Sequence, residues 1–207
     1  MTAHSSAWDD DYRRRGDLWG GAPAPLPDLP ANAAVLELGC GNGKTLAALL
    51  RRSARVTAVD VSPHAVALAR RHPGTAAACL TVADARCLPF CKASFDAVFL
   101  VHITGHLPGP GRKAVASEVC RVLRPGGAAF FRGFSVEDMR AGKGAETERQ
   151  TFQRGDGIIT HYFTEDETAE LFAPLVPVSV RTCRWQMRVR GRDLPRAEIE
   201  ATFQKAV

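Results

Sequence analysis

Residues 36–45 read Leu-Glu-Leu-Gly-Cys-Gly-Asn-Gly-Lys-Thr, LELGCGNGKT. The closing Gly-Lys-Thr matches the end of a phosphate-binding P-loop, G-x-x-x-x-G-K-[ST]. Counting back from Gly43, that motif needs a glycine at position 38, which is Leu38; the nearest glycine, Gly39, makes the loop one residue short. A dinucleotide fingerprint, G-x-G-x-x-G, fits Gly39 and Gly41 but meets Lys44 where a small residue is needed for close helix–strand packing. What remains is E-x-G-x-G-x-G, with Glu37, Gly39, Gly41 and Gly43 joining a strand to a helix. Bare glycines let a ligand approach the backbone. The helix start near Asn42 and Thr45 favours a carboxylate.

Strand and helix signals alternate outward from this loop. Residues 34–38, 55–60, 78–82, 95–101 and 128–134 read as strands, the fourth (FDAVFLV) almost wholly apolar. Residues 46–52, 63–71 and 111–123 read as helices; Ser62 is the N-cap of the second, with Pro63 in its first turn. Continuously apolar strands separated by helices predict a Rossmann-like, doubly wound α/β fold. The expected sheet is mostly parallel and seven-stranded, with an antiparallel C-terminal strand. Residues 1–32 are expected to form an N-terminal segment with a proline-rich tether (GAPAPLPDLPA), part of the lid over a ligand site, and residues 33–207 the main domain. Residues 135–163, rich in glycine and charge, break the rhythm and read as an irregular segment of functional type. A helix is expected from Glu165 to Phe172, with Thr164 and Glu167 forming a capping box. In the tail, Trp185, Met187 and Val189 alternate with Arg184, Gln186, Arg188 and Arg190, as in a strand.

Composition sets outer limits. The chain has 207 residues, 45% hydrophobic and 24% charged, with a net charge of +5, values of a globular protein that permit a nucleic-acid partner without requiring one. No apolar run reaches the roughly 20 residues of a membrane span, and no secretory signal is visible, so a cytoplasmic location is expected. The six cysteines contain no Cys-x-x-Cys pair and read as reduced thiols. Cys87 and Cys91 have a spacing open to a soft metal, but no further ligand completes a site and none is expected.

Two acids follow the glycine loop in register. Asp60 ends the second strand, where a carboxylate can accept both hydroxyls of a ribose; Asp84 follows the third, within reach of an adenine amine. With VLELGCGNG, VTAVDVSPHAV, VADARCLPF, SFDAVFLVHITGHL and RVLRPGGAAFF in order, residues 33–134 resemble the class I S-adenosylmethionine-dependent methyltransferases. The resemblance implies S-adenosyl-L-methionine as cofactor and S-adenosyl-L-homocysteine as product. It places Gly39, Cys40 and Gly41 along the methionine portion, Asp60 at the ribose, Asp84 and Ala85 at the adenine, and Val101 and His102 beside the methyl. Trp19, Glu37, Asn42, Gly43, Thr45, Val61 and Ser62 complete the expected cofactor set.

The acceptor reading stays divided. Residues 154–172 and the tail RVRGRDLPRAEIEATFQK resemble the methyltransferase-like enzymes that make 3-methylcytidine in tRNA, and Trp8, Asp9, Tyr12 and Trp19 match their N-terminal segment loosely. Under that resemblance Asp156 orients the exocyclic amine, while Arg13, Arg14, Arg15, Arg188 and Arg190 hold phosphates; the same arginines also read as a solvated basic face. The acidic Glu198-Ile199-Glu200 departs from an RNA-facing strand. The favoured reading is a small-molecule acceptor, since no RNA-holding appendage is visible. Tyr12, Trp19, His102, His106, His161 and Tyr162 then wall a pocket, with Arg132 also on the acceptor side, residues 135–163 as lid, and His102 or His106 as general base. A non-catalytic binding module with the cofactor fold is the third reading.

Overall fold

The structure is a computed structural model that describes residues 3–16, 25–52, 55–155 and 157–207. The expected site residues Trp19 and Asp156 lie outside them, as does the first part of the proline-rich tether.

Five strands run parallel: β1 (Ala34–Leu38), β2 (Arg55–Asp60), β3 (Cys79–Val82), β4 (Phe95–Val101) and β5 (Leu123–Phe134). Every residue of β1 is buried, Glu37 included, as in a strand covered on both faces. Two long C-terminal strands, β9 (Val176–Val189) and β10 (Arg192–Gln204), complete a seven-stranded sheet of order β3-β2-β1-β4-β5-β10-β9. Strand β10 is antiparallel to both of its neighbours.

Helices α2 (Lys44–Leu50) and α3 (Pro63–Arg71) follow β1 and β2; α4 (Gly109–Val122) precedes β5 and α5 (Glu165–Leu171) precedes β9. The caps follow from the residues predicted for them. Ser62 Oγ accepts from the Ala65 amide at 3.0 Å, and Thr164 Oγ1 accepts from the Glu167 amide at 3.1 Å, each replacing an orphan helix-end hydrogen bond worth ~1 kcal/mol. The capping box is half made, because the Glu167 carboxylate turns to His161 instead. Phe131 packs edge-on against Phe163 and Phe172, and Phe172 stacks on Phe203 at 4.9 Å, fixing α5 and β10 to the sheet.

Two elements differ from the sequence reading. Residues 135–163 are not irregular throughout: they hold a small antiparallel sheet of β6 (Ala145–Glu148), β7 (Thr151–Gln153) and β8 (Ile159–His161). Strands of three or four polar residues leave no periodic signal, and their pairing replaces hydrophobic burial as the ordering force. Helix α1 (Ala3–Arg15) packs on α3 ahead of the sheet.

Candidate functional site

The strand order turns at β1, with β2 on one side and β4 on the other. Open α/β sheets leave a crevice beyond the carboxyl ends of the strands at such a point. Here it is a cavity of about 430 Å³, within the range that holds small ligands. Its floor is the glycine loop. Gly39 and Gly41 both have positive φ, 71° and 53°. A Cβ on Gly39 would lie 3.0 Å from Ile103, and one on Gly41 would lie 2.7 Å from the Tyr12 hydroxyl, so the loop stays bare for steric reasons. Gly43 does not line the cavity: it begins α2, and a Cβ there would meet Ala69 and Thr75 at 3.2–3.3 Å. Its smallness serves helix packing.

Asp60 is buried at the tip of β2. Its Oδ2 accepts from the Gly41 amide and its Oδ1 from the Ser62 amide, each at 2.9 Å. Burial raises its pKa against the pull of these amide bonds. Glu37 is fully buried below the loop, and burial, then the charge of Asp60, raises its pKa well above the carboxylate range. Its Oε2 has no hydrogen-bond partner. An orphan acceptor beside a second acid, under a bare glycine turn, fits a ligand bearing a positive or hydrogen-donating group. Asp84 also lines the cavity, its carboxylate forked by Arg86 at 2.6–3.1 Å, with Ala85 beside it.

Most residues expected at the cofactor end therefore converge: Glu37, Gly39, Cys40, Gly41, Asn42, Thr45, Asp60, Val61, Asp84, Ala85, Val101 and His102 all line one cavity. Ser62 lies just behind the wall. It is fully buried and donates to Asp9 Oδ1 at 2.7 Å, tying α1 to the start of α3. Asp9 also accepts from the His64 amide at 3.1 Å and meets the His64 ring at 2.9 Å. Through this latch α1 places Trp8, Asp11, Tyr12 and Arg15 in the cavity wall. Burial, then the charge of Asp60, pushes the Tyr12 hydroxyl well above its ordinary pKa, so it stays a neutral donor.

His102 and His106 both reach the cavity. His102 has φ 58°, a left-handed conformation rare outside glycine and one that concentrates at functional sites. Its ring stacks on Phe134 at 4.3 Å, its Nε2 lies 3.3 Å from Glu198 Oε1, and its buried Nδ1 has no hydrogen-bond partner. Beside the carboxylate Nε2 is the protonated nitrogen, which puts the lone pair on Nδ1. His106 Nδ1 donates to the Ile159 carbonyl at 2.8 Å, and its ring meets Trp8 edge-on at 4.7 Å.

Two residues expected on the acceptor side stand elsewhere. Arg132 faces Glu200, its register partner on β10, and ion-pairs with it and with Glu198, lining a separate cavity of about 300 Å³ with Leu26 and Arg181. The cross-strand carboxylates capture its guanidinium. His161 is buried, bonded to Thr151 Oγ1 and to Glu167 Oε1 at 2.7 Å each. Strand alternation explains it: Thr160 and Tyr162 point into the cavity, so His161 points away. Sequence reasoning missed Phe134, Arg140, Arg154, Ile158 and Thr160, all in the cavity wall. Phe134 was findable, as it ends a parallel strand on the crevice side; the others come from β6–β8 and its flanks.

Most of the arginines suggested for phosphates are engaged with acids. Arg13 pairs with Asp9 and Asp10, Arg14 and Arg15 with Asp11, and Arg188 with Asp193. No helix among the described residues is long and apolar enough to cross a membrane.

Comparison with known proteins agrees with this geometry. Residues 35–127 match the family model described as methyltransferase domain. The chain is 31% identical over 161 residues to a tRNA N(3)-methylcytidine methyltransferase of Drosophila melanogaster, covering 69% of this chain and 50% of that protein. It is also 31% identical over 138 residues to a ubiquinone biosynthesis O-methyltransferase of Xylella fastidiosa, covering 63% of this chain and 55% of that protein. It thus spans about half the length of these curated relatives. Among solved structures, the Burkholderia thailandensis 1,6-didemethyltoxoflavin-N1-methyltransferase, crystallised with 1,6-didemethyltoxoflavin and S-adenosylhomocysteine, superposes with a TM-score of 0.72. That match is 22% identical and covers 98% of this chain and 87% of the other.

Proposed function

We propose that this chain, whose residues 35–127 match the methyltransferase domain model, is an S-adenosylmethionine-dependent methyltransferase that transfers a methyl group to a small-molecule acceptor. The observation that carries the reading is the acid-lined glycine turn: Glu37, Asp60 and Asp84 beneath and beside backbone that tolerates no side chain. When bound, the cofactor supplies an activated sulfonium methyl for in-line displacement.

The residues of this chain then have three tasks. Asp60 holds the ribose hydroxyls on lone pairs not used by Gly41 and Ser62, and Asp84 with Ala85 holds the adenine edge. Glu37 and the Gly39–Gly41 turn receive the amino-acid end. The walls from α1 and from residues 154–162 exclude water and hold the acceptor in line, which is the main source of acceleration in such a transfer. His102, oriented by Glu198, or His106 serves as the general base that takes the acceptor's proton.

The test is calorimetry with S-adenosylhomocysteine, followed by methyl transfer to a panel of small nucleophiles. Tight binding supports the reading; its absence overturns it. A tRNA acceptor is the second reading, favoured by the Drosophila relative. Enclosure of the cavity by two elements and the carboxylate pairing of the candidate arginines favour the small molecule. Methyl transfer to tRNA that falls steeply with salt would reverse that preference.

A further inference from the structure

The cavity wall beside Phe134 and Tyr162 carries two guanidinium groups, those of Arg140 and Arg154. Tyr12 feels the acids Asp60, Asp11 and Glu37. Tyr162, across the cavity, feels the guanidinium groups of Arg154 and Arg140, with Asp138 as the acid in reach, and bonds to Arg154. Among the described lining residues, the acids Asp11, Glu37, Asp60 and Asp84 share their side of the cavity with Arg15 and Lys44, while Arg140 and Arg154 line it with Phe134 and Tyr162.

Arg140 is built in place rather than left to solvent. Its guanidinium lies 3.9 Å from the centroid of the Phe134 ring. Its Nε donates to Asp138 Oδ1 at 2.7 Å, and Asp138 Oδ2 also accepts from Arg196 at 2.7 Å. Burial works to raise the Asp138 pKa, but the bonds from Arg140 and Arg196 outweigh it and hold it at about 2. Asp138 fixes the Arg140 guanidinium at the cavity wall, where Arg154 also stands. Flat surfaces adjoin it: His102 stacks on Phe134 with an interplanar angle of 23°, and Tyr162 lies 6.4 Å from Phe134.

Resting on the methyltransferase reading, we propose that the acceptor is an aromatic or heteroaromatic carboxylic acid. Its ring lies in the cavity beside the edge of Phe134 and Tyr162, and its carboxylate is held by Arg140 and Arg154. Guanidinium forks match a carboxylate geometrically, and a stacked Arg–aromatic pair gives a flat ligand both a surface and a counter-charge.

The test uses the full chain saturated with S-adenosylhomocysteine. Calorimetry compares aromatic acids with their neutral amides: 3,4-dihydroxybenzoate, indole-3-carboxylate and quinoline-2-carboxylate against each corresponding carboxamide. The expected result is at least one acid binding about tenfold or more tightly than its amide, with Arg140→Gln and Arg154→Gln each removing that preference, the loss expected for one charge-assisted hydrogen bond. Both variants should keep S-adenosylhomocysteine affinity within about twofold. Arg154→Gln guards against a folding effect, since Arg140 is tied into the Asp138 cluster. Acids and amides binding alike, no member binding, a preference that survives both variants, or tight binding of cytidine 5′-monophosphate in place of the acids would each overturn the proposal. Failure of the wild-type chain to bind S-adenosylhomocysteine would instead strike the methyltransferase reading itself.

Discussion

His102 Nε2 lies 3.3 Å from Glu198 Oε1, joining the tip of β4 to the antiparallel strand β10. Burial opposes the Glu198 charge, yet the bond and charge of His102, with Arg132 and Arg196, hold its pKa below the usual range. A buried, ionised carboxylate fixes which ring nitrogen bears the proton. Glu198→Ala should release that tautomer, seen as averaging of the His102 nitrogen signals in ¹⁵N spectra, and lower kcat by about 10²-fold with little change in acceptor KM. Unchanged spectra and kcat would remove Glu198 from the mechanism.

Asp60→Ala should weaken S-adenosylhomocysteine binding by about tenfold or more while the protein stays folded, since a carboxylate bonding two hydroxyls is lost. Calorimetry beside a thermal melt separates the two effects. Equal affinity in the variant would show that Asp60 serves only the loop amides.

A methyl group on Gly41 would lie 2.7 Å from the Tyr12 hydroxyl, at a backbone φ of 53°. Gly41→Ala should destabilise the chain by ~1–3 kcal/mol, from strain and from displacing Tyr12. Adding Tyr12→Phe removes the clashing oxygen and should recover part of that loss. Additive effects in denaturant melts would show that α1 does not rest on the loop.

Asp9 ties α1 to Ser62 and His64. Although burial raises its pKa, those hydrogen bonds and the His64 charge lower it on balance. The latch is therefore fully present above the unfolded carboxylate pKa of about 4 and is lost as pH falls through the lower folded value. Asp9→Ala should speed tryptic cleavage at Arg13–Arg15 at neutral pH. An unchanged cleavage rate would argue that other contacts hold α1.

Asp138 contributes in the same sense. With its pKa held at about 2, it adds stability above pH ~4 that disappears as pH falls toward 2, on the order of 2 kcal/mol. Denaturant melts of Asp138→Asn and wild type should differ by that amount at pH 7 and converge in acid.

The parallel half of the sheet was legible because its strands are short, mostly apolar runs set between turns and helices: β1, β2 and β4 begin and end where the residues predict. Ser62 and Thr164 announced their helices by side-chain chemistry alone. The cofactor end was legible because its residues sit at fixed offsets from strand ends. The acceptor end was not. Tyr12 and Tyr162 were expected there and do line the cavity, but Arg140 and Arg154 reach it from segments ahead of and within β6–β8, whose strands are too short to announce themselves. Arg132 and His161 failed for a shared reason: alternation along a strand decides which face a side chain takes, and sequence adjacency to a site does not.

Strand β9 closes the sheet with its outer edge unpaired among the described residues, across 14 residues that include the exposed Val176, Val178 and Trp185. An edge of that length invites a second chain to add a strand. Arg181, Arg184 and Arg188 stand along it, each bound to a carboxylate of the same molecule. Desolvating these charged pairs is the toll on any strand that would dock there. Of these three only Arg188 was among the arginines suggested for phosphates, and neutralising Arg181, Arg184 and Arg188 together should lower the protein's solubility before its activity.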